Sequence, residues 1–294
     1  MWGKEGSAMF TLSLSGLLSN NDYDLDKYFS EDPTFVTRYR IAGKIIEEYK
    51  QQQGSIRKLK VLDVGGYGSI LDDFASIDLT ILDQIKTKAK IKNYVRGDAL
   101  NLPFDNNSFD VVVSCDVLEH ITDESRKQFI KELTRVSKDL VILAAPFNTE
   151  GVRNSETAAN NYYKDITGKD HPWLLEHLQN NLPELQRIKL NFDKYDLNTA
   201  HFSHTSLEYW QLVTRLGFLY SLEEKQPDFV RKIKDLNRFY LEQISQSDFS
   251  NQGYRTFIIA SKKNEVEVRV DQHTFDSNLQ HLFSIITDSL LLLI

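Results

Sequence analysis

Residues 61–69 read Val-Leu-Asp-Val-Gly-Gly-Tyr-Gly-Ser, a short run of β-favouring residues with one aspartate that leads into a glycine-rich turn. A second apolar stretch, residues 79–82, ends at Asp83, twenty positions after Asp63. Strand, glycine turn, second strand and acidic residue in this order are typical of an open α/β sheet that holds an adenosine. Glycines let the backbone approach the ligand closely, and the later carboxylate accepts hydrogen bonds from ribose hydroxyls.

The chain continues with a regular alternation of strands and helices. Apolar, β-branched segments predict strands, and an amphipathic segment at 123–136 predicts a helix on the sheet. The predicted strands are 61–64, 79–82, 94–95, 109–114, 140–145 and 254–260. Strands this apolar are buried on both faces, as in a parallel sheet covered by helices. The predicted fold is a doubly wound, mostly parallel α/β sheet of about seven strands.

Three regions lie outside this alternation. Residues 1–55 are interpreted as an N-terminal helical cap, and residues 56–262 as the main domain. Within that domain, residues 148–203 are rich in Asn, Tyr, Lys and His, and we interpret them as a substrate lid inserted after the fifth strand. Such an insertion sits at the carboxyl end of the sheet, where ligands bind. Residues 263–294 are predicted to be a separate tail helix.

Composition excludes several classes of protein. The 294 residues carry a net charge of −7. This charge disfavours a nucleic-acid partner, because phosphate binding needs a local excess of Lys and Arg. No run of 18 apolar residues is present, so no membrane span is expected. The single cysteine, Cys115, excludes an intrachain disulfide and a cysteine-rich metal site, which favours the cytoplasm.

Further motifs follow the glycine turn in order. Gly-Asp-Ala occupies 97–99, Phe-Asp-Val-Val-Val-Ser occupies 109–114, and Val-Leu-Glu-His-Ile occupies 117–121. Together with the glycine turn and Asp83, these motifs resemble those of class I S-adenosylmethionine (SAM)-dependent methyltransferases, especially the type 11-like small-molecule group. The resemblance covers roughly residues 60–147, and the strand predicted at 254–260 matches the last strand of that fold.

The resemblance implies SAM as cofactor and in-line methyl transfer to a small-molecule or glycan-type acceptor, with S-adenosylhomocysteine (SAH) as the second product. The residues that it implies in cofactor binding are Asp63, Gly65, Gly66, Gly68, Asp83, Gln84, Asp98, Ala99, Cys115 and Asp116. One position departs from the family loop Asp-x-Gly-x-Gly-x-Gly. Tyr67 takes a usual glycine position unless the turn is re-registered through Gly66 and Gly68.

Histidines are the candidate catalytic residues. A hydroxyl acceptor benefits from a general base, and histidine is the usual base near neutral pH. The candidates are His120, His171, His177 and His204. His171 and His177 are six positions apart, which does not match the helical i, i+4 pairing of zinc proteases. We therefore expect no metal site.

Other functions stay open on sequence grounds. A catalytically idle SAM-fold module that binds a partner is consistent with Tyr67 in the glycine turn. A nucleotide-dependent dehydrogenase shares the strand–glycine–acid order, although Leu-Glu-His at 118–120 argues against it. The acidic composition speaks against a nucleic-acid methyltransferase. The apolar segment 279–294 suggests a possible homodimer contact or a contact with a further domain.

Overall fold

The computed structural model describes residues 9–14, 17–18, 24–86, 91–222, 227–250 and 252–269. Its strands are β1 (Met9–Ser13), β2 (Leu59–Val64), β3 (Ile77–Asp83), β4 (Tyr94–Arg96), β5 (Phe109–Cys115), β6 (Ser137–Pro146), β7 (Asn198–His204), β8 (Phe249–Ser250), β9 (Arg255–Ser261) and β10 (Glu265–Arg269). Its helices are α1 (Pro33–Gln52), α2 (Asp123–Val136), α3 (Glu150–Thr167), α4 (Pro172–Asn180), α5 (Leu185–Asp193), α6 (Leu207–Leu222) and α7 (Pro227–Phe239). Single 3-10 turns lie at Asp26–Tyr28, Leu71–Asp73 and Leu118–His120, and a π-helical turn at Tyr240–Ile244 follows α7.

The main sheet has the strand order β4-β3-β2-β5-β6-β9-β7-β8. Strands β4 to β6 in this order pair in parallel, β9 is antiparallel to both of its neighbours, and β8 has only two residues. The predicted doubly wound sheet of about seven mostly parallel strands is confirmed. The chain moves outward from β2 in one direction to β3 and in the other to β5. The crevice at the carboxyl ends of β2 and β5 is therefore the switch point where such sheets bind ligands.

Helices cover both faces of this sheet. One core cluster joins α1 and the Tyr240–Ile244 turn to the sheet, and the other joins α2 and α5 to the opposite face. Every residue of β5 is buried, as expected for a central strand covered on both sides. The core therefore holds the carboxyl ends of β2, β3 and β5 in fixed relative positions.

The connection from β2 to β3 has the 3-10 turn Leu71–Asp73 as its one helical element, because the connection is too short for a long helix. Helix α1 packs against this turn instead. A Cβ atom on Gly43 would lie 2.6 Å from Cβ of Phe74, so only glycine permits this approach of α1. The N-terminal region thus supplies part of the layer that covers the sheet.

The segment 148–203 contains three helices and most of strand β7. Helix α5 packs against α2 and β7, and β7 pairs with β9 inside the sheet. Helix α3 contacts α4 and α6, and α4 contacts the Leu118–His120 turn that follows β5. Helices α3 and α4 are therefore the part of this segment that stands over the carboxyl edge. Its role as a substrate lid stays a prediction, as do the domain boundaries.

A second, two-stranded sheet joins the two ends of the described chain. Strand β10 pairs in parallel with β1, from Met9 beside Glu265 to Ser13 beside Arg269. The predicted tail helix at 263–294 begins in this region, where residues 265–269 form a strand, and residues 270–294 lie outside the described part. Among the described helices, none combines the length and apolar character needed to cross a membrane.

Candidate functional site

The glycine turn after β2 is closely packed at the switch point. Gly65 has φ +77°, and its amide donates to the carbonyl of Leu82 at 2.7 Å. A Cβ atom on Gly65 would lie 2.2 Å from Cγ2 of Val117, and one on Gly66 would lie 2.4 Å from the carboxyl group of Asp63. Both positions require glycine, because a side chain would collide with the residues that follow β5 or with the aspartate of β2.

Tyr67 does not close this turn. Its side chain is exposed and meets the ring of Tyr94 edge-on, while its amide donates to Oδ2 of Asp83 at 3.2 Å. Gly68 takes the next left-handed position, with φ +80°. The turn is thus built on Gly65 and Gly68, and the tyrosine is accommodated at its surface.

Asp63 is completely buried beneath the turn. Neither of its carboxyl oxygens has a hydrogen-bond partner among the described residues. Burial raises the pKa of Asp63 to about 6, and the nearby side chains of Ser69 and Tyr39 and the positive charge of Arg38 limit the rise. A buried carboxylate with unused acceptor atoms fits a cationic ligand group. The amino group of SAM has this chemistry, so the residues present fit the predicted cofactor.

This environment predicts a pH effect. The native state holds the Asp63 proton more tightly than the unfolded chain, because the pKa rises from 3.8 to about 6. The free energy of unfolding should therefore fall, by about 3 kcal/mol in total, as pH rises from about 4 to about 6. Asp63→Asn should lack this component. Urea unfolding of both proteins across this range measures the difference.

SAM affinity should respond in the opposite direction. A bound ammonium requires the ionised carboxylate, so the affinity of the wild-type chain should increase as pH rises through about 6. The titratable groups that interact with the carboxyl group of Asp63 are Arg38 and Tyr39 of α1, Asp83 of β3 and Cys115 of β5. A pH dependence that is the same in wild type and Asp63→Asn would contradict this role.

Asp83 ends β3 beside the glycine turn and is almost completely buried. Its Oδ1 accepts from the amide of Ile85 at 2.9 Å, and its Oδ2 accepts from the amide of Tyr67. Each oxygen keeps a lone pair for a further donor, as a ribose hydroxyl would require. Gln84, the next residue, is exposed, and its backbone carbonyl accepts a hydrogen bond from Nε of Arg96.

Asp98 lies in the loop after β4, next to the end of β3. The amide of the preceding Gly97 donates to the carbonyl of Asp83 at 3.0 Å, which ties the two loops together. Asp98 is exposed and its Oδ1 accepts from the amide of Leu100, whereas Ala99 packs against the core on the α2 side. The candidate ribose and adenine residues therefore stand on adjacent loops.

Asp116 binds two arginines that the sequence did not suggest. It follows β5 with φ +55°, and its Oδ1 accepts from Nε of Arg255 at 2.6 Å. Its Oδ2 accepts from Arg38 of α1 as well as from Arg255. The two guanidinium groups hold the pKa of Asp116 well below its usual range despite burial. Cys115, directly before it, is a buried free thiol whose pKa burial raises.

Two histidine–carboxylate pairs meet over the Leu118–His120 turn. His120 Nδ1 lies 3.0 Å from Oε2 of Glu176, and His177 Nδ1 lies 2.9 Å from Oε1 of Glu156. The two imidazole rings are 4.9 Å apart. Glu119 lies close to both histidines, and its side chain is buried. Residues from the Leu118–His120 turn, α3 and α4 thus converge at the carboxyl edge.

The protonation of this group follows from burial and charge. Burial and the neighbouring His177 lower the pKa of His120. Burial alone would lower the pKa of His177, but the carboxylates of Glu156 and Glu119 raise it above its ordinary value. Burial raises the pKa of Glu119 to about 8. Burial and the neighbouring charges thus move the pKa values of all three groups away from their ordinary values.

The other two candidate histidines have separate surroundings. His204 is buried, with Nε2 2.8 Å from the carbonyl of Ser245 and Nδ1 3.1 Å from Oγ1 of Thr205, and burial lowers its pKa to about 3. The ring of His171, just before α4, contacts Tyr163 and Phe218, and burial lowers its pKa as well. The structure brings the rings of His120 and His177 into contact, whereas the rings of His171 and His204 contact other side chains.

Residues 62–144 match a family model described as a methyltransferase domain. Solved structures with similar folds include a methyltransferase from Galdieria sulphuraria (17% identity, 76% of this chain and 86% of the other, TM-score 0.45). A SAM-dependent methyltransferase from Thermotoga maritima is also similar, with 12% identity over 81% of this chain and 98% of the other and a TM-score of 0.46. The magnesium protoporphyrin IX methyltransferase from Synechocystis PCC 6803 with bound SAH is similar as well, with 13% identity over 84% of this chain and 91% of the other and a TM-score of 0.43. No curated protein sequence matches the chain.

Proposed function

We propose that this chain transfers a methyl group from SAM to a small-molecule or glycan-type acceptor. Its residues 62–144, which match the methyltransferase model, form the core of the SAM-binding domain. The transfer is an in-line displacement that leaves SAH as the second product. The observation that carries the proposal is that polar side chains from the Leu118–His120 turn, α3 and α4 converge at the carboxyl edge of the sheet.

The cofactor half of the site is assigned to the loops after β2, β3 and β4. SAM, when bound, supplies a methyl group already activated by its sulfonium, so alignment and exclusion of water are the main demands on the protein. Asp63 takes the amino group, because its buried oxygens lack partners. Asp83 takes the ribose hydroxyls, and Asp98 takes the amino group of adenine. Gly65 and Gly66 let the backbone pass close to the ligand.

The acceptor half is assigned to the edge under α3 and α4. Glu119, His120 and His177 offer donors and acceptors of hydrogen bonds, which suits an acceptor rich in hydroxyl groups. The acidic composition of the chain supports a small molecule or glycan over a polyanionic nucleic acid. Helices α3 and α4 keep water away from the reacting groups.

Release of SAH tests the acceptor class. The purified chain is incubated with SAM and, in separate reactions, with sugar nucleotides, oligosaccharides, small amines, small carboxylates, RNA and DNA. We expect SAH to form above the acceptor-free rate with at least one small or glycan acceptor and with neither nucleic acid. Turnover on RNA or DNA alone would contradict the proposal, and so would SAM binding with no turnover on any class of acceptor.

Asp83→Ala should weaken SAM binding by about 1–3 kcal/mol, or roughly 5- to 150-fold, because hydrogen bonds to a charged group are lost. Asp78→Ala is the matched control, since Asp78 is an exposed aspartate on the same strand at its opposite end. Calorimetric titration with SAM gives both affinities. Equal affinities in the two variants would remove Asp83 from the ribose site.

Compartment and assembly stay predictions. We infer the cytoplasm, since Cys115 is a free thiol that a reducing compartment preserves. A homodimer or a further domain that contacts the apolar segment 279–294 is also a prediction, because that segment lies outside the described residues.

A further inference from the structure

Glu119, His120 and His177 form a group, here called the Glu-His-His cluster, at the carboxyl edge of β5. Each offers one ligand atom, and the three atoms lie within 4.8 Å of one another. We propose that the Glu-His-His cluster binds one divalent transition-metal ion. The spacing of His171 and His177 indicated no metal site, whereas this cluster combines His177 with residues from a turn far away in the sequence.

The two imidazoles are held as metal ligands usually are. Metal-bound histidines almost always donate their second ring N–H to a carboxylate or carbonyl, which fixes the tautomer and the ring orientation. Here Nδ1 of His120 is paired with Glu176, and Nδ1 of His177 is paired with Glu156. These pairs leave Nε2 of each ring with its lone pair available for an ion.

The supporting carboxylate of His177 is itself fixed. Oε1 of Glu156 also accepts from the hydroxyl of Tyr254 at 2.9 Å, and the Tyr254 ring stacks on Trp210 at 3.9 Å. All four side chains of this series are buried. The orientation of His177 is therefore set by a rigid series of contacts before any ligand arrives.

Two atoms of the cluster lack partners although they are buried. Oε2 of Glu119 and Nε2 of His177 form no hydrogen bond to any described residue, and the two residues are only 2% and 6% exposed. Buried polar atoms are nearly always satisfied, so these two unsatisfied atoms in one cluster need an explanation. A cation bound by both atoms would satisfy them together.

The ligand set indicates the class of ion. Two imidazole nitrogens and one carboxylate oxygen suit Zn²⁺, Fe²⁺ or Mn²⁺, in contrast to the all-oxygen sets that Mg²⁺ and Ca²⁺ prefer. Three protein ligands leave at least one open coordination position, as in catalytic rather than structural zinc sites. Water or an oxygen atom of a ligand can occupy that position. Ion binding itself does not depend on the acceptor proposed above.

The test is a calorimetric titration of the chelator-treated full chain with ZnCl₂, and in parallel with MnCl₂, without SAM or acceptor. We expect one ion per chain. Glu156→Gln should weaken binding by about 10- to 100-fold, because it removes the carboxylate that orients His177. Glu119→Gln and His177→Ala should weaken it more. His201→Ala is the matched control, because His201 is an exposed histidine on β7 and should leave binding unchanged.

Melting curves and SAH binding show whether each variant is folded. If His177→Ala does not fold, Glu119→Gln decides the question, since it keeps the shape of the side chain. No binding of either ion to the wild-type chain would overturn the proposal. Binding that persists unchanged in Glu119→Gln would overturn it as well, because the ion would then lie elsewhere. Either result leaves SAM binding and methyl transfer untouched and separately measurable.

Discussion

Asp116→Asn is expected to lower the free energy of unfolding by about 3–5 kcal/mol, because it leaves the buried guanidinium of Arg255 and the half-buried one of Arg38 without their counter-charge. Asp116 binds Arg38 and Arg255 simultaneously, and the side chain of Arg255 is only 4% exposed. Asparagine keeps the shape of the side chain but removes the charge and one of the two acceptor oxygens. Urea unfolding monitored by circular dichroism measures the loss.

A matched control separates this effect from the general loss of an ion pair. Asp228 pairs with Arg231 on the surface of α7, where both side chains are mostly exposed. Asp228→Asn should change the free energy of unfolding by only about 0–1 kcal/mol. A loss in Asp116→Asn no larger than in Asp228→Asn would show that the arginines are already well solvated or paired elsewhere.

Gly65→Ala should destabilise the chain by about 2–5 kcal/mol. The left-handed conformation at φ +77° costs a residue with a Cβ atom about 1–2 kcal/mol. The overlap of that Cβ with Cγ2 of Val117, only 2.2 Å away, adds about 1–3 kcal/mol. Since the turn lies beside Asp63 and Asp83, SAH affinity should fall as well. Thermal unfolding and SAH titration measure the two effects.

Gly68→Ala separates the two causes. Gly68 has φ +80°, but nothing lies within 4 Å of its added Cβ, so only the conformational cost of about 1–2 kcal/mol applies. Val117→Ala should recover the steric part of the loss when it is combined with Gly65→Ala. A Gly65→Ala variant that is as stable as Gly68→Ala would mean that Val117 moves aside freely.

The parts of the fold that depend on local sequence could be predicted. Helix 123–136 was placed with both ends correct, because its apolar face recurs at helical spacing within the segment itself. Strand β7 was missed, because its first half is exposed and polar and its alternation is interrupted by two histidines. Helix α6 runs through Gly217 to Leu222, because Phe218 and Leu219 are buried and keep its last part packed on the core.

The candidate site divides in the same way. The proposed cofactor residues lie at the carboxyl ends of β2 and β3 and in the loop after β4, so spacing along the chain was enough to propose Asp63, Asp83 and Asp98. The partners of Asp116 come from α1 and β9, far away in sequence, and no local pattern marks Arg38 or Arg255. Glu156 was missed for the same reason, since only the packing of α3 against α4 brings it to His177.

The two halves of the site have different physical origins. The cofactor half is part of the sheet and is supported by backbone hydrogen bonds between neighbouring loops. The proposed acceptor half depends on helices α3 and α4, and α4 contacts the Leu118–His120 turn, where Nδ2 of Asn180 donates to the carbonyl of His120 at 3.2 Å. Changes in the segment 148–203 should therefore alter the acceptor without altering SAM affinity.

The central claim is that the loops after β2, β3 and β4 bind SAM. Calorimetric titration of the purified chain with SAM and SAH, beside NAD as a control, tests it most directly. We expect saturable binding of one SAM or one SAH per chain, and no binding of NAD. Failure to bind either SAM or SAH would contradict the account and favour an idle module with a disabled glycine turn, whereas binding of NAD alone would favour a dehydrogenase.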